Sequence, residues 1–90
     1  MEVSFDPDKR AQTLADRRLD FADASTVFAG PVFEFEDDRF DYPEPRIITY
    51  GLLAERLVAV IWTETIRGRR VISMRKANER EQALYRNRLA

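Results

Sequence analysis

RIITYGLLAERLVAVIWTETIRGRRVISMR, residues 46–75, is the stretch that decides the fold. It contains three runs rich in β-branched residues, RIITYGLL, LVAVIWTET and RRVISMR, which predict three strands. The runs are separated at Ala54-Glu55 and at Arg67-Gly68, and connections this short indicate antiparallel hairpins. The run from Leu57 to Trp62 is apolar on both faces, which indicates a central strand covered on both sides.

Alternation along the last of these strands predicts which side chains share a face of the sheet. One face should carry Arg70, Ile72 and Met74, and the other Val71, Ser73 and Arg75. A further strand should precede the three, because VFEFE at residues 32–36 alternates and a polar, proline-containing loop at residues 37–45 follows it.

Two helices are predicted before the strands. Asp6 and Pro7 are typical of a helix start, since the carboxylate can accept from free N–H groups of the first turn and proline fits the first helical position. Asp20 is a plausible start for a second helix, which Gly30-Pro31 ends.

A closing helix is predicted near the other end of the chain. Asn78, with Glu81 three residues later, resembles a capping box. The predicted fold class is therefore α+β, with two N-terminal helices, an antiparallel sheet of about four strands and a C-terminal helix. A chain of 90 residues accommodates this as one domain, residues 1–90.

Missing residue types exclude several kinds of chemistry. The chain has no cysteine and no histidine, which excludes disulfides, thiolate metal sites and the commonest proton-transfer side chain. It contains no Gly-rich phosphate loop and no zinc pattern. No run approaches the roughly 20 apolar residues of a membrane span, and the N-terminus does not resemble a signal peptide. We therefore expect a cytoplasmic protein.

Charge is strongly segregated, although the net charge is only −1. Residues 34–44 carry six acidic side chains and one basic, whereas residues 66–90 carry eight basic and two acidic. A basic end in a near-neutral chain indicates a local anion site rather than a general nucleic-acid coat. The alternative is that the two segments pair with each other or only keep the protein soluble.

The acidic segment offers carboxylates for a divalent cation site, at Glu36, Asp37, Asp38 and Asp41. It lacks the ligand spacing and the glycine of a calcium loop, so we predict no metal site. Loop solubility, or attraction to a basic partner, explains these carboxylates better.

The basic segment places several cations around one end of the last strand and the first turn of the closing helix: Arg69, Arg70, Arg75, Lys76 and Arg80. Arginine forks match phosphate geometry. RNA cleavage needs no histidine, because the ribose 2′-hydroxyl is its own nucleophile and fixed positive charge can stabilise the transition state. A carboxylate such as Glu64, or a lysine of lowered pKa, could assist the proton. The alternative is a solvated strand-to-helix corner.

Two aromatic residues have two interpretations each. Aromatic rings can stack on bases. Trp62, however, lies in the predicted central strand, and Tyr85 lies on the apolar stripe of the closing helix, where core residues are expected. Core packing is favoured for Trp62, whereas for Tyr85, which carries a hydroxyl near the arginines, both interpretations stand.

Three motifs together resemble the BrnT family of toxins from type II toxin–antitoxin modules. They are FDPDK at residues 5–9, LDFADASTVF at residues 19–28 and RVISMRKANEREQALY at residues 70–85. The family-like positions are Phe5, Asp6, Pro7, Lys9, Phe21, Ala24, Arg70, Ile72, Ser73, Arg75, Lys76, Ala77, Glu81 and Tyr85. The resemblance covers nearly the whole chain, and its C-terminal run is the most specific part.

This resemblance implies a small ribonuclease with a RelE-like fold, which cleaves RNA to arrest growth without a metal or cofactor. It implies a BrnA-type antitoxin as partner, with DNA reached only through that antitoxin, and leaves a homodimer open. Arg75 and Lys76 would stabilise the scissile phosphate, and Glu64 would accept the proton. The residues expected to bind RNA around them are Arg17, Arg46, Arg70, Arg80 and Tyr85.

One position departs from the family pattern. Members usually carry Lys-His before the second helix, where this chain has Asp16-Arg17. Arg17 can contact phosphate, but a pKa above about 12 prevents it from shuttling protons. Two alternatives to a ribonuclease follow: a binding module that keeps the antitoxin interface without turnover, and a structural interaction domain that uses the acidic loop.

Overall fold

The computed structural model describes residues 2–89, which form an α+β domain as predicted. The N-terminal part consists of β1 (Glu2–Phe5), α1 (Pro7–Arg17), a 3₁₀ turn (Phe21–Asp23) and α2 (Ala24–Ala29). The rest consists of β2 (Val32–Asp37), β3 (Arg46–Leu53), β4 (Arg56–Thr65), β5 (Gly68–Lys76), α3 (Glu79–Tyr85) and a second 3₁₀ turn (Arg86–Arg88). No helix among residues 2–89 is long and apolar enough to cross a membrane.

The strands form one five-stranded sheet in the order β1-β5-β4-β3-β2, with β4 in the centre as predicted. The expected sheet of about four antiparallel strands is wrong in two respects, because a fifth strand, β1, is present and pairs parallel to β5. β1 contains only the four residues EVSF, too few to show a strand period. It is a strand because the outer edge of β5 supplies its hydrogen-bond partners, with Glu2 opposite Gly68.

A β-bulge in β5 overturns the predicted alternation of side chains. Ile61 is paired with Ser73, whereas the next residue, Trp62, is paired with Val71. Ile72 is therefore the extra residue of the bulge, and it shifts the side-chain alternation by one position. As a result Val71 and Met74, which were expected on opposite faces, both pack in the same core.

The two faces of the sheet carry separate cores. The face that carries Val60, Trp62 and Met74 is covered by α2 and by the segment between α1 and α2, and we call it the helical face. The face that carries Ile48, Tyr50, Ala59 and Ile61 is covered only in part, by α3, and we call it the open face.

Close packing of α2 on the sheet depends on a glycine in β3. A Cβ atom at Gly51 would lie 2.7 Å from Val27 Cγ1 and 3.3 Å from Val32 Cγ1. Since real Cβ atoms do not approach other atoms so closely, only glycine lets α2 reach this depth.

The predicted helix starts are present. Asp6 accepts from the N–H of Asp8 at 2.9 Å, with Pro7 following it. Asp20 caps the 3₁₀ turn rather than α2 itself, by accepting from the N–H of Ala22, so the second predicted helix is a 3₁₀ turn continued by a short α-helix. The capping box at the start of α3 is confirmed, since Asn78 and Glu81 accept from each other's N–H groups.

Candidate functional site

Arg75 lies on the open face of β5 and forms a bidentate ion pair with Glu81 of α3. Arg75 Nη1 is 2.6 Å from Glu81 Oε1, and Nη2 is 2.8 Å from Oε2. The hydroxyl of Tyr50, on β3, donates to Oε2 of the same carboxylate. The capping carboxylate of α3 is thus also the partner of the arginine, because α3 begins where β5 ends and turns back over the sheet.

The ion pair fixes the protonation of all three groups. Arg75 lowers the pKa of Glu81 to about 2, with Tyr50 and the N–H of Asn78 adding to the effect. Burial, followed by the hydrogen bond to Glu81, raises the pKa of Tyr50 to about 12. Glu81 in turn raises the pKa of Arg75 above its ordinary value. Near neutral pH the carboxylate is charged but very weakly basic while Arg75 holds it.

A groove of about 250 Å³ lies beside this ion pair on the open face. Ile48, Tyr50, Arg75 and Glu81 line it together with residues of the β2–β3 connection. Sheet, helix and loop therefore all contribute to one concave surface, the usual form of a small binding site.

A second group of arginine, carboxylate and tyrosine lines the groove from the loop. Arg39 donates to both oxygens of Asp37, at 2.8 and 3.0 Å, and the hydroxyl of Tyr42 donates to Oδ2 at 3.1 Å. Arg39 is the main cause of the lowering of the Asp37 pKa to about 2. Two arginines thus border the groove, each neutralised by a carboxylate of the same chain.

Aromatic rings cover the remainder of the open face. Tyr85 packs with its ring centroid 4.5 Å from Tyr50 and 5.3 Å from Phe33, and it also lines the groove. Trp62, in contrast, is only 5% exposed in the core of the helical face, where its Nε1 donates to Thr49 Oγ1 at 2.8 Å. The core interpretation of Trp62 is confirmed.

Two of the residues expected to bind RNA share the open face with Arg75. Arg70 pairs with Thr63 of β4. Arg46 precedes Ile47, which pairs with Trp62, so Arg46 lies beside Thr63 on the other side of β4. Because Ala59, the partner of Arg75, is four residues from Thr63 along β4, these arginines lie about 13 Å from Arg75 in the direction of the strands. Only the bulge places Arg70 and Arg75 on one face.

The expected catalytic residues do not converge on one point. Glu64 is opposite Arg69, whereas Arg75 is opposite Ala59, so about 16 Å of β4 separates the two positions. Lys76 follows Arg75 in the same strand and is opposite Val58, a residue of the helical core, so it points to the other face.

Arg17 and Arg80 lie near the same end of β5. Arg17 Nη1 donates to the carbonyl oxygen of Met74 at 3.0 Å. The pairing of β5 with β1 ends at Val71, so among residues 2–89 the edge of β5 has no neighbouring strand at Met74. Arg17 supplies the hydrogen-bond donor that such a strand would otherwise provide to this carbonyl. Arg80 is exposed in the first turn of α3.

The charged segments do not neutralise each other. Ion pairs within residues 2–89 are Arg10–Asp20, Arg39–Asp37 and Arg75–Glu81. Each is local to its own part of the chain, and none joins the acidic segment to the basic one. In the same residues, no three His, Cys, Asp or Glu side chains are grouped to hold a metal ion.

Sequence reasoning missed Tyr50, Asp37 and Arg39 as groove residues, and it gave Glu81 only the role of a helix cap. The capping pattern was the one available signal for Glu81. That the same carboxylate reaches Arg75 and Tyr50 depends on the direction of α3 over the sheet, for which no local pattern exists.

Acid is expected to remove the stabilisation provided by Glu81. Its folded pKa of about 2 is below the ordinary 4.5, so this stabilisation is complete above pH 4.5 and is lost as the pH falls from there towards 2. At pH 6, Glu81→Gln should lower the free energy of unfolding by about 2 kcal/mol. The difference between the two proteins should shrink as the pH is lowered to 3, as measured by urea unfolding. A difference that is the same at both pH values would contradict the assignment.

The fold and the groove define a class, that of small α+β domains with arginines and aromatic rings on an open sheet face, a surface suited to RNA. Comparison with protein families is more specific. The family model of the ribonuclease toxin BrnT, of type II toxin–antitoxin systems, matches residues 5–81. The chain belongs to this family, and the matched region includes Arg75 and Glu81. No curated protein sequence matches the chain. Membership gives the chain a toxin role, with RNA as target and an antitoxin as partner.

Proposed function

We propose that this chain is a metal-independent endoribonuclease whose reaction takes place in the open-face groove, at Arg75, Glu81 and Tyr50. The observation that carries the proposal is the bidentate fork of Arg75, which lines the groove and is bound to a carboxylate of its own chain. A phosphodiester also offers two oxygens to such a fork, so it can take the place of the carboxylate.

When a phosphate replaces Glu81 at Arg75, Arg75 supplies the positive charge for the reaction and the released Glu81 supplies the base. When the phosphate binds Arg75, Glu81 loses the main cause of its low pKa and becomes basic enough to accept the 2′-hydroxyl proton. The 2′-oxygen attacks phosphorus, and the 5′-oxygen leaves and takes a proton from water. Arg75 stabilises the charge on the phosphorane-like transition state, and the products carry 2′,3′-cyclic phosphate and 5′-hydroxyl ends.

The remaining residues of the open face bind the strand on either side of the reaction. Arg70 and Arg46 lie about 13 Å from Arg75 in the direction of the strands, Arg70 on β5 and Arg46 on β3, and in this proposal they contact flanking phosphates. Tyr85 is half-buried in the groove and offers a ring for base stacking.

Neither Glu64 nor Lys76 acts at the scissile phosphate in this proposal, although the sequence suggested that both do. A phosphate at Arg75 is out of reach of Glu64, so Glu81 takes the role of proton acceptor. Lys76, Arg17 and Arg80 surround the end of β5 outside the groove, where they contact more distant phosphates or the partner protein.

The partner in this proposal is a BrnA-type antitoxin. It would cover the surface around Arg75, Lys76 and Arg80 with carboxylates, as electrostatic complementarity requires, and it would carry the contact with DNA. The RelE-like fold belongs to the same proposal, supported by an antiparallel four-stranded core followed by a helix. A homodimer is not needed, since one chain contains all the groove residues.

A second candidate function is an antitoxin-binding module without turnover. The observation that favours it is the contact of Arg17, which stands where family members usually have histidine and donates to a backbone carbonyl. An arginine held in this way cannot transfer a proton.

Cleavage of a defined RNA in EDTA by the purified protein tests the proposal. We expect the parent to cleave and Arg75→Ala to be at least about 100-fold slower, since an electrostatic stabiliser of the transition state is lost. Lys76→Ala is the matched control, because it removes a neighbouring cation from the opposite face and should change the rate by less than about threefold. Circular dichroism verifies the fold of each variant.

Three other outcomes would contradict the proposal. Equal cleavage by all three proteins would indicate a contaminant or another site. An equal loss in both variants would indicate general RNA binding in place of a localised reaction. A folded parent that binds antitoxin without cleaving RNA would establish the binding module.

A further inference from the structure

β2 lies at one edge of the sheet, so its outward backbone groups have no partner strand within residues 2–89. It is six residues long and pairs with β3 residue for residue, without a bulge. Edges of this kind are usually protected by proline, by charged side chains or by a bulge. β2 contains no proline, lysine or bulge, and its charged side chains are all carboxylates. β1, at the other edge, has only four residues. β2 is thus the edge better able to accept another strand.

An apolar shelf adjoins this edge on the open face. Phe33, Phe35, Leu84, Tyr85 and Arg88 line a shallow recess of about 440 Å³. Leu84 is 50% exposed and Phe35 is 38% exposed, although both are large apolar residues. A strand that paired with this edge could pack its own apolar side chains against these exposed apolar residues.

The other side of the same edge is acidic. Glu34 and Glu36 are exposed on β2 and point away from the shelf. The following loop continues the charge, since residues 34–44 carry six acidic side chains and one basic. Such a rim attracts cationic side chains.

A second copy of this chain fits the edge poorly. In a two-fold antiparallel pair of β2 strands, facing residues lie on the same face of the sheet. The two registers with most overlap place Glu34 opposite Glu34, or Glu34 opposite Glu36. Like charges directly opposite each other are destabilising, so the edge is built against self-pairing.

We propose that the β2 edge accepts, as a sixth strand, an extended segment of a partner protein in which lysine or arginine alternates with apolar residues. The basic side chains lie beside Glu34 and Glu36, and the apolar ones lie on the shelf of Phe33, Phe35 and Leu84. This interface has the opposite charge to the Arg75 surface and does not depend on ribonuclease activity.

Binding of two short peptides to the ¹⁵N-labelled protein tests the proposal. One is a blocked seven-residue peptide that alternates valine and lysine, and the other has glutamate in place of lysine. The lysine peptide should shift the amide resonances of β2 and slow hydrogen exchange of its outward amides. The glutamate peptide should bind at least about tenfold more weakly.

A charge reversal separates this interface from general attraction to cations. Glu36→Lys should weaken the lysine peptide at least about fivefold and strengthen the glutamate peptide. Asp16→Lys, which makes the same change of charge on α1, should leave both affinities unchanged. Equal binding of the two peptides, resonance shifts confined to residues away from both β2 and the shelf, or equal effects of the two variants would overturn the proposal. So would dimerisation of the free protein through β2, since it would assign the edge to a second copy.

Discussion

Replacing Glu81 by glutamine is expected to slow RNA cleavage about 100-fold while RNA binding stays the same or becomes slightly stronger. Glutamine has nearly the shape of glutamate and also serves in a capping box, so α3 should keep its start. It cannot accept the 2′-hydroxyl proton, however. It also competes less well with phosphate for Arg75, which is why binding should not weaken. A 100-fold loss corresponds to about 2.7 kcal/mol of transition-state stabilisation.

Single-turnover cleavage and fluorescence anisotropy with the same RNA measure the two quantities separately. Glu79→Gln is the matched control, because it makes the same chemical change at an exposed position in the same helix turn, and it should alter neither quantity by more than about twofold. A Glu81→Gln protein that cleaves within threefold of the parent would show that another group accepts the proton. A parallel loss of binding would show that Glu81 acts only through the fold of the groove.

Replacing Phe21 by alanine is expected to lower the free energy of unfolding by about 3–5 kcal/mol. Phe21 is 1% exposed. Its ring packs edge-to-face with the ring of Phe5, with 6.0 Å between the two ring centroids. It lies in the turn between α1 and α2 and packs in the core between α2 and the sheet, so truncation leaves a cavity that the surrounding sheet cannot close. For a domain with a total stability of about 5–10 kcal/mol, this is a large fraction.

Urea unfolding at pH 7, followed by circular dichroism, measures this loss. Leu14→Ala is the control, since Leu14 is an apolar residue of α1 with 43% exposure and its truncation should cost less than about 1 kcal/mol. Equal losses in the two variants would mean that Phe21 is not a central core residue.

The closed core and the proposed reaction site lie on opposite faces of the sheet. The helical face holds a closed apolar core that includes Phe21, Trp62 and Met74, whereas the open face holds the ion pair of Arg75 and Glu81. The two large effects should therefore be separable. Phe21→Ala should change the rate of cleavage only through the fraction of folded protein, and Glu81→Gln should leave most of the stability intact.

Much of the fold follows from the sequence by itself, because it depends on local spacing. The hairpin at Ala54-Glu55, the central position of β4 and the helix starts at Asp6 and Asn78 are all present as predicted. The second hairpin is also present, but its turn is Ile66-Arg67 rather than Arg67-Gly68, because Gly68 already pairs with Thr65. Each depends on residues within a few positions of one another, where short-range sterics and hydrogen bonds decide the outcome. The motifs that resemble the BrnT family are equally local, and the family model confirms them over residues 5–81.

Only the tertiary structure decided which side chains meet. β1 exists because β5 offers it an edge, and the bulge at Ile72 brings Arg70 to the face of Arg75. Neighbours in a strand point to opposite faces, so Arg75 and Lys76, adjacent in sequence, are separated by the sheet. Arg75 instead meets Glu81 and Tyr50. Such contacts depend on strand register and on the path of α3 over the sheet, which long-range packing determines and no local period in the sequence records.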